Sequence, residues 1–394
     1  MYEYDVAIVG GGPIGGHVAC KIANKNFNVA IFEKNKQVGM PVNCAGLVTQ
    51  RVFALLGISK TSVQNEIKGA RIYSPSGKIL TIGGDKIHAL VIDRSAFDKE
   101  IVKKAEDKGA KVFLNNNVIA AQKVEKHAEL KTSQKQDIRC KILIGADGPH
   151  SKIRGRFSFP EPTEFLRGIG AEITNTNIDP DYVKIFLGKN IAPGFFAWLI
   201  PTSKNGTSAR IGLCIDQKSP YSPKHYFSNF LKNKHVSPLL KDMKIKKYTG
   251  GTVPLGVLKK TYDSNVLIVG DAAAQVKPTS GGGIYTGLLC ASHCATTVID
   301  ALQKKNYTPQ FLKKYHKLWS ADLGKELYLG MKFRKIYKNL TDKQMDKYIE
   351  KFQNPEITEI ISKYGDIDYP SKLVKPLLKK APTLLKLFPN VLKE

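Results

Sequence analysis

Apolar residues follow three patterns along the chain, and each predicts a different kind of element. The first is a short unbroken run closed by glycine or an acid. Asp5-Val6-Ala7-Ile8-Val9 leads into Gly10, Asn28–Phe32 ends at Glu33, Ile142-Leu143-Ile144 reaches Gly145, and Val266–Val269 enters Gly270. Runs without polar alternation suit strands buried on both faces, as in a parallel sheet. The second pattern fills residues 160 to 262, where short alternating stretches predict antiparallel strands: Val183–Leu187, Phe195–Ile200, Ala209–Ile215 and Gly250–Val253. The third is helical. Phe97, Ile101 and Ala105 repeat at i, i+4 and i+8 within 93–112, and a helix is expected after the Gly-rich turn at residue 10 and from about Gly283 to Leu302. The last ninety residues read as helical pieces broken at Pro355, Pro370, Pro376, Pro382 and Pro389.

Strand, Gly-rich turn, helix and strand over residues 4–35 make one βαβ half. The same style returns at 266–302, after the alternating block. The expected organisation is a discontinuous α/β domain (1–158 and 263–302), an inserted antiparallel α+β domain (159–262) and a C-terminal helical region (303–394). At about 100–200 residues per domain, 394 residues accommodate this.

Composition removes some classes. No apolar run approaches the roughly 18 residues of a membrane span, and the first strand begins too early for a signal peptide, so a cytoplasmic protein is expected. The six cysteines (Cys20, Cys44, Cys140, Cys214, Cys290, Cys294) contain no CxxC, and neither metal nor disulfides are expected. The formal charge of +27 could serve a nucleic acid, an anionic membrane surface, or an acidic protein or substrate. No basic–aromatic stripe supports nucleic acid.

Four motifs carry chemistry. Gly10-x-Gly12-x-x-Gly15 follows a strand and opens a helix, with Glu33 closing the next strand. Such glycines admit a pyrophosphate close to a helix N-terminus, and the acid accepts from ribose hydroxyls. Asp147-Gly148-Pro149-His150-Ser151-Lys152-Ile153-Arg154 fits DGxxSxxR. Gly270-Asp271, with Gly281-Gly282-Gly283 beyond it, places an acid suited to ribityl hydroxyls before a helix start. Asp93-Arg94 supplies an arginine at another helix start. Together these four select FAD over NAD.

In this order the blocks resemble the p-hydroxybenzoate-hydroxylase-like flavoproteins and, within them, the geranylgeranyl reductase family. The closer marks are Pro41-Val42-Asn43-Cys44-Ala45-Gly46-Leu47, Pro278-x-x-Gly281-Gly282-Gly283-Ile284, and Pro193-Gly194-Phe195-Phe196-Ala197-Trp198-Leu199-Ile200-Pro201, which resembles a PxxYxWxFP segment. The resemblance covers roughly residues 1–300. It implies a Rossmann-like FAD-binding domain with an inserted antiparallel sheet, and reduction of the isoprenoid chains of archaeal ether lipids. It implies that Gly15 and Glu33 hold the ADP half of FAD. Cys44, Ala45 and Leu47 would lie along the flavin, Arg94 and Val118 would flank the cofactor, and Asp271, Gly283 and Ile284 would hold its ribityl and ring region. Phe196 stands where the family has Tyr, so a hydroxyl is missing, and Ile200 stands where Phe is usual.

Reducing an isolated alkene needs hydride at one carbon, a proton at the other and an apolar enclosure. Phe186, Phe195, Phe196, Trp198 and Leu199 are the expected walls, with Phe196 and Trp198 as pocket residues. Cys44 is the catalytic candidate, as proton donor or flavin tuner, with plain packing as the alternative. The electron donor is open between an acidic ferredoxin-like protein and NAD(P)H. Leu373–Leu392 is expected to lie on an anionic membrane surface, giving peripheral attachment. Two other activities share these motifs: a p-hydroxybenzoate-type monooxygenase and a quinone-linked electron-transfer flavoprotein. Phe196-x-Trp198-x-Ile200-Pro201 also resembles the WxWxIP segment of flavin halogenases, without its first Trp.

Overall fold

The computed structural model describes residues 2–380. Among these, eight strands form one sheet, seven a second and three a small third. The parallel centre of the first sheet is Val266–Ile268, Asp137–Gly145, Tyr2–Val9, Val29–Phe32 and Lys111–Phe113, in that spatial order. The runs without alternation are indeed buried on both faces. Val6, Ile8, Ile31, Ile142 and Ile144 face the helices Pro13–Ala23 and Ile284–Gln303, whereas Ala7, Val9, Ala30, Phe32 and Leu143 face a second cluster with Val118 and Ile153. Each fully buried Val, Ile, Leu or Phe among them contributes about 1.5–3 kcal/mol. The strand Tyr2–Val9 lies between Val29–Phe32 and Asp137–Gly145, so its C-terminal end opens the crevice where doubly wound sheets bind nucleotides.

The second sheet runs Lys244–Leu255, Glu164–Thr174, Ser208–Asp216, Ala197–Pro201, Tyr182–Phe186, Gly69–Tyr73 and Ile79–Gly83. This corrects the expected boundaries, because its last two strands come from the 1–158 segment. Gly69–Tyr73 pairs in parallel with Tyr182–Phe186 across more than a hundred residues, a contact that no local pattern announces. Strand alternation also corrects the expected walls. Phe186 and Leu199 point to the face covered by the helix Pro223–Leu231, whereas Trp198 and Ile200 turn to the opposite face, against the small third sheet, and Phe195 and Phe196 pack with Trp198 and Val276.

The C-terminal region is helical as expected, but its prolines start helices rather than break them. Pro309 and Pro355 occupy first-turn positions, where the missing N–H costs nothing. Pro376 lies in the first turn of Val374–Lys380, while Pro382 and Pro389 fall outside the described residues. Much of the expected membrane-facing stretch Leu373–Leu392 also lies outside them.

Candidate flavin site

The three fingerprint glycines do different work. A Cβ on Gly10 (φ +108°) would lie 2.3 Å from the Ala146 carbonyl oxygen, and one on Gly15 only 2.1 Å from that of Gly10. These two permit the turn and the tight passage of the helix. Gly12 has nothing within 4 Å of its Cβ position, so its open side is free for a ligand. Gly12 also caps the helix Pro13–Ala23, which has no side-chain cap and no acid in its first turn. Its first N–H groups and dipole suit a pyrophosphate.

Glu33 is buried. Its carboxylate accepts from Gly11 N at 2.7 Å and from Asn35 N at 2.8 Å, which fixes it at the crevice edge. A cavity of about 230 Å³ opens there between Gly10, Gly12, Glu33, Val118, Gly148 and Lys152, with His150 and Asn117 on its rim. Val118, which lines this cavity, begins the strand Val118–Val124. A second cavity of about 130 Å³ shares Gly12 and Glu33 and continues to Asn43, Arg94 and Asp98. The two together form an elongated cradle of the kind a dinucleotide fills.

At its inner end Cys44, Arg94, Asp271 and Gly283 converge. Arg94 opens the helix Arg94–Asp107, where Asp93 caps the start through Ala96 N. Its guanidinium holds buried Asp98 at 3.1 and 2.9 Å and also lies beside the Cys44 thiol. Burial pushes the Asp271 carboxyl up to about 6, against the pull of Arg94. A Cβ on Gly283 would sit 2.9 Å from Asp271 Oδ1, so glycine is needed there. Ile284 follows as the first residue of its helix and packs with the cluster around Ile92 and Leu288. Ala45 and Leu47 pack with Trp198 against Val91 and Ile200, which brings the cysteine turn onto the seven-stranded sheet.

The DG block serves mainly as a brace. Asp147 accepts from Ser151 Oγ, Lys152 N and Ile153 N, while Arg154 donates to the Ala272 carbonyl at 3.1 Å and ties this block to the GD block. The GD turn is held from below, where Gly270 N donates to Gln275, which donates to buried Tyr315.

An apolar groove of about 410 Å³ lies beside this site. Phe195, Phe196, Pro278 and Thr279 form its inner end, and Phe195 approaches Gly281, whose Cβ position is 3.4 Å from the ring. Its other walls include Phe333, Ile336 and Tyr337 of the helix Lys325–Asn339, Leu340 just after it, Met345, Ile349 and Phe352 of the helix Asp342–Phe352, and Leu373 and Leu377 beyond. Arg334 holds the aromatic segment in place by donating to the Gly194 carbonyl at 2.8 Å and to Glu164 at 3.0 Å, with its guanidinium over the Phe195 ring. Trp198 does not line the groove. It stands behind Phe196, edge to face at 6.3 Å, and rests on Gly212. Sequence reasoning missed the C-terminal walls, although Met345, Ile349 and Phe352 repeat at i, i+4 and i+7.

Residues 3–318 match the FAD binding domain family. The chain is 34% identical over 380 residues to an uncharacterized protein of Methanocaldococcus jannaschii, covering 96% of this chain and 95% of that one. It is 30% identical to the digeranylgeranylglycerophospholipid reductase of the same organism, covering 99% and 98%. Its backbone superposes on a geranylgeranyl bacteriochlorophyll reductase-like structure from Thermoplasma acidophilum with a TM-score of 0.88, at 24% identity and full coverage of both chains. The chain belongs to the FAD-binding flavoproteins of the p-hydroxybenzoate-hydroxylase fold, within the family of digeranylgeranylglycerophospholipid reductases, and FAD is its cofactor.

Proposed function

We propose that this protein saturates the carbon–carbon double bonds of geranylgeranyl chains on an archaeal-type ether phospholipid. The observation that carries this reading is the groove, whose inner end at Phe195, Phe196, Pro278 and Thr279 abuts the Gly281–Gly283 loop of the flavin site. A chain of trisubstituted alkenes offers no polar handle, and a lining of aliphatic and aromatic side chains is what such a chain requires. With the chain seated, such a lining would also keep water from the developing positive charge.

Bound FAD, once reduced, supplies the hydride. The protein's own residues hold and orient. Gly10, Gly12 and Gly15 would admit the cofactor's pyrophosphate, Glu33 would accept from its ribose hydroxyls, and Val118 would flank its adenine. Arg94, Asp271, Gly283 and Ile284 would hold the ribityl and ring portion, and Ala45 and Leu47 would lie along the ring. Cys44 carries the ionisable proton of that turn on Sγ, beside Arg94. Phe196 keeps the groove apolar, and Trp198 supports Phe196 from behind.

Exposed Lys335, Lys343, Lys347 and Lys351 lie on the two helices that wall the groove, where they meet an anionic lipid surface. No helix among the described residues is long and apolar enough to cross a membrane, and contact through this face is peripheral in our reading. Between Lys224 and Lys247 seven exposed lysines face a single acid, Asp242, which offers an acidic electron donor a separate surface.

Anaerobic reoxidation tests the reading. Dithionite-reduced protein mixed with digeranylgeranylglycerol phospholipid should regain its oxidised flavin spectrum, and the fully saturated lipid should leave it reduced. Reoxidation that ignores the lipid but follows O2 together with a phenol would replace this reading with a monooxygenase.

A further inference from the structure

Arg210 enters from the seven-stranded sheet at the turn that carries Cys44. It lies on the strand Ser208–Asp216, with its neighbours Ala209 and Ile211 turned to the opposite face, and its side chain is 9% exposed. Nη1 donates to the Ala45 carbonyl at 3.0 Å and to the Ile92 carbonyl at 2.9 Å, and Nη2 donates to Gln64 Oε1 at 2.9 Å. Among the described residues its ion-pair partner is Glu172, 3.5 Å from Nε and without a hydrogen bond. The hydrogen bonds of this buried cation therefore go to two backbone carbonyls and an amide oxygen, while Glu172 pairs with it only through charge.

The acceptors are the informative part. Ala45 is the residue after Cys44, and Ile92 is two residues before Arg94. Ile92 N also donates to the Gly46 carbonyl at 2.8 Å, and Gly46 N donates to Cys44 Sγ at 3.3 Å. Gly46 has φ +71°, and a Cβ there would lie 2.2 Å from Arg210 Nη1. The glycine thus serves two needs, a left-handed turn and the close approach of the guanidinium.

We propose that Arg210 is a positioning residue. It clamps the Cys44–Gly46 turn against the strand end that leads to Arg94, so that thiol and guanidinium keep one mutual geometry at the flavin. The inference rests on the flavin role of this turn and is independent of the lipid's identity.

Arg210→Lys keeps the charge but cannot span both carbonyls and Gln64. Alkylation of the Cys44 peptide, followed by mass spectrometry before FAD is added, should accelerate about tenfold, the equivalent of one lost hydrogen bond to a charged donor. After FAD is bound, the visible spectrum and midpoint potential should shift, and kcat should fall about tenfold with KM within about threefold. A variant with lower melting temperature but unchanged alkylation, spectrum and potential would reduce Arg210 to a structural residue and overturn the proposal. If Arg210→Lys does not fold, Gly46→Ala presses the same contact from the turn side. It should show the same gain in alkylation, and wild-type alkylation in that variant would equally overturn the proposal. Failure of the wild-type protein to bind FAD would instead refute the flavin assignment, which the alkylation measurement does not use.

Discussion

Removing the carboxylate of Asp368 strands a buried ammonium. Asp368 is 1% exposed and accepts from Lys277 Nζ at 2.7 Å, from Thr49 Oγ1 at 2.6 Å and from Arg51 Nη1 at 3.4 Å. Lys277 is 8% exposed at its side chain, and the only other hydrogen-bond partner of its ammonium among the described residues is the Ile367 carbonyl. Breaking one side of such a pair costs about 3–5 kcal/mol, because the remaining charge stays buried. With an unfolding entropy of about 2.1 cal/mol/K per residue, 394 residues convert this to a fall in Tm of about 4–6 °C for Asp368→Asn. The pair also joins the Asp366–Tyr369 segment to the loop that precedes Gly281. The apolar groove takes Pro278 and Thr279 from one of these and Pro370 from just beyond the other. Lipid KM should therefore rise along with the loss of stability. Calorimetry of Lys277→Met, Asp368→Leu and the double variant Lys277→Met/Asp368→Leu completes the cycle. The double variant should recover at least half the loss, since apolar replacement of a buried pair is near neutral or stabilising. A fall below about 1 °C in the single variant, or a double variant as unstable as the single one, would refute the reasoning.

Gly15→Ala should abolish FAD binding by clashing with the Gly10 carbonyl, whereas Gly12→Ala should fold normally and bind FAD at least about tenfold more weakly, as read by flavin titration. Glu33→Gln places an amide N–H against Gly11 N or Asn35 N, and FAD affinity should fall by about 1–3 kcal/mol. Asp271 has a folded-state pKa raised to about 6 from 3.8, so its ionisation destabilises the protein without cofactor as pH rises from about 4 through 6. Asp271→Asn without FAD should then be more stable than wild type by about 2–3 kcal/mol at pH 7.5, with the gain gone below pH 4; denaturant unfolding at the two pH values checks both magnitude and sign. Leu340→Trp fills the groove and should suppress lipid turnover while the flavin spectrum stays unchanged.

The flavin cradle was legible because its determinants are local. Gly10, Gly12, Gly15 and Glu33 occupy one βαβ unit, and each structural requirement shows in the residue type itself. The unbroken apolar runs announced the parallel sheet for the same reason. The second sheet was half legible. Alternation marked its strands, but the parallel pairing of Gly69–Tyr73 with Tyr182–Phe186 depends on contacts far apart in sequence. Choosing Phe186 and Leu199 as groove walls failed because alternation gives parity and not which parity faces the site. Arg210 carried no motif, since its meaning lies in two carbonyls more than a hundred residues away. The groove's outer walls come from helices whose apolar residues read equally well as ordinary core.

The most direct test is mass spectrometry of the lipid after a single anaerobic turnover with reduced holoprotein. The account requires product heavier by two hydrogens per flavin oxidised, with the added hydrogens on the isoprenoid chain and the headgroup unchanged. A lipid recovered at its original mass while the flavin is oxidised would contradict it, and so would product that carries oxygen instead of hydrogen.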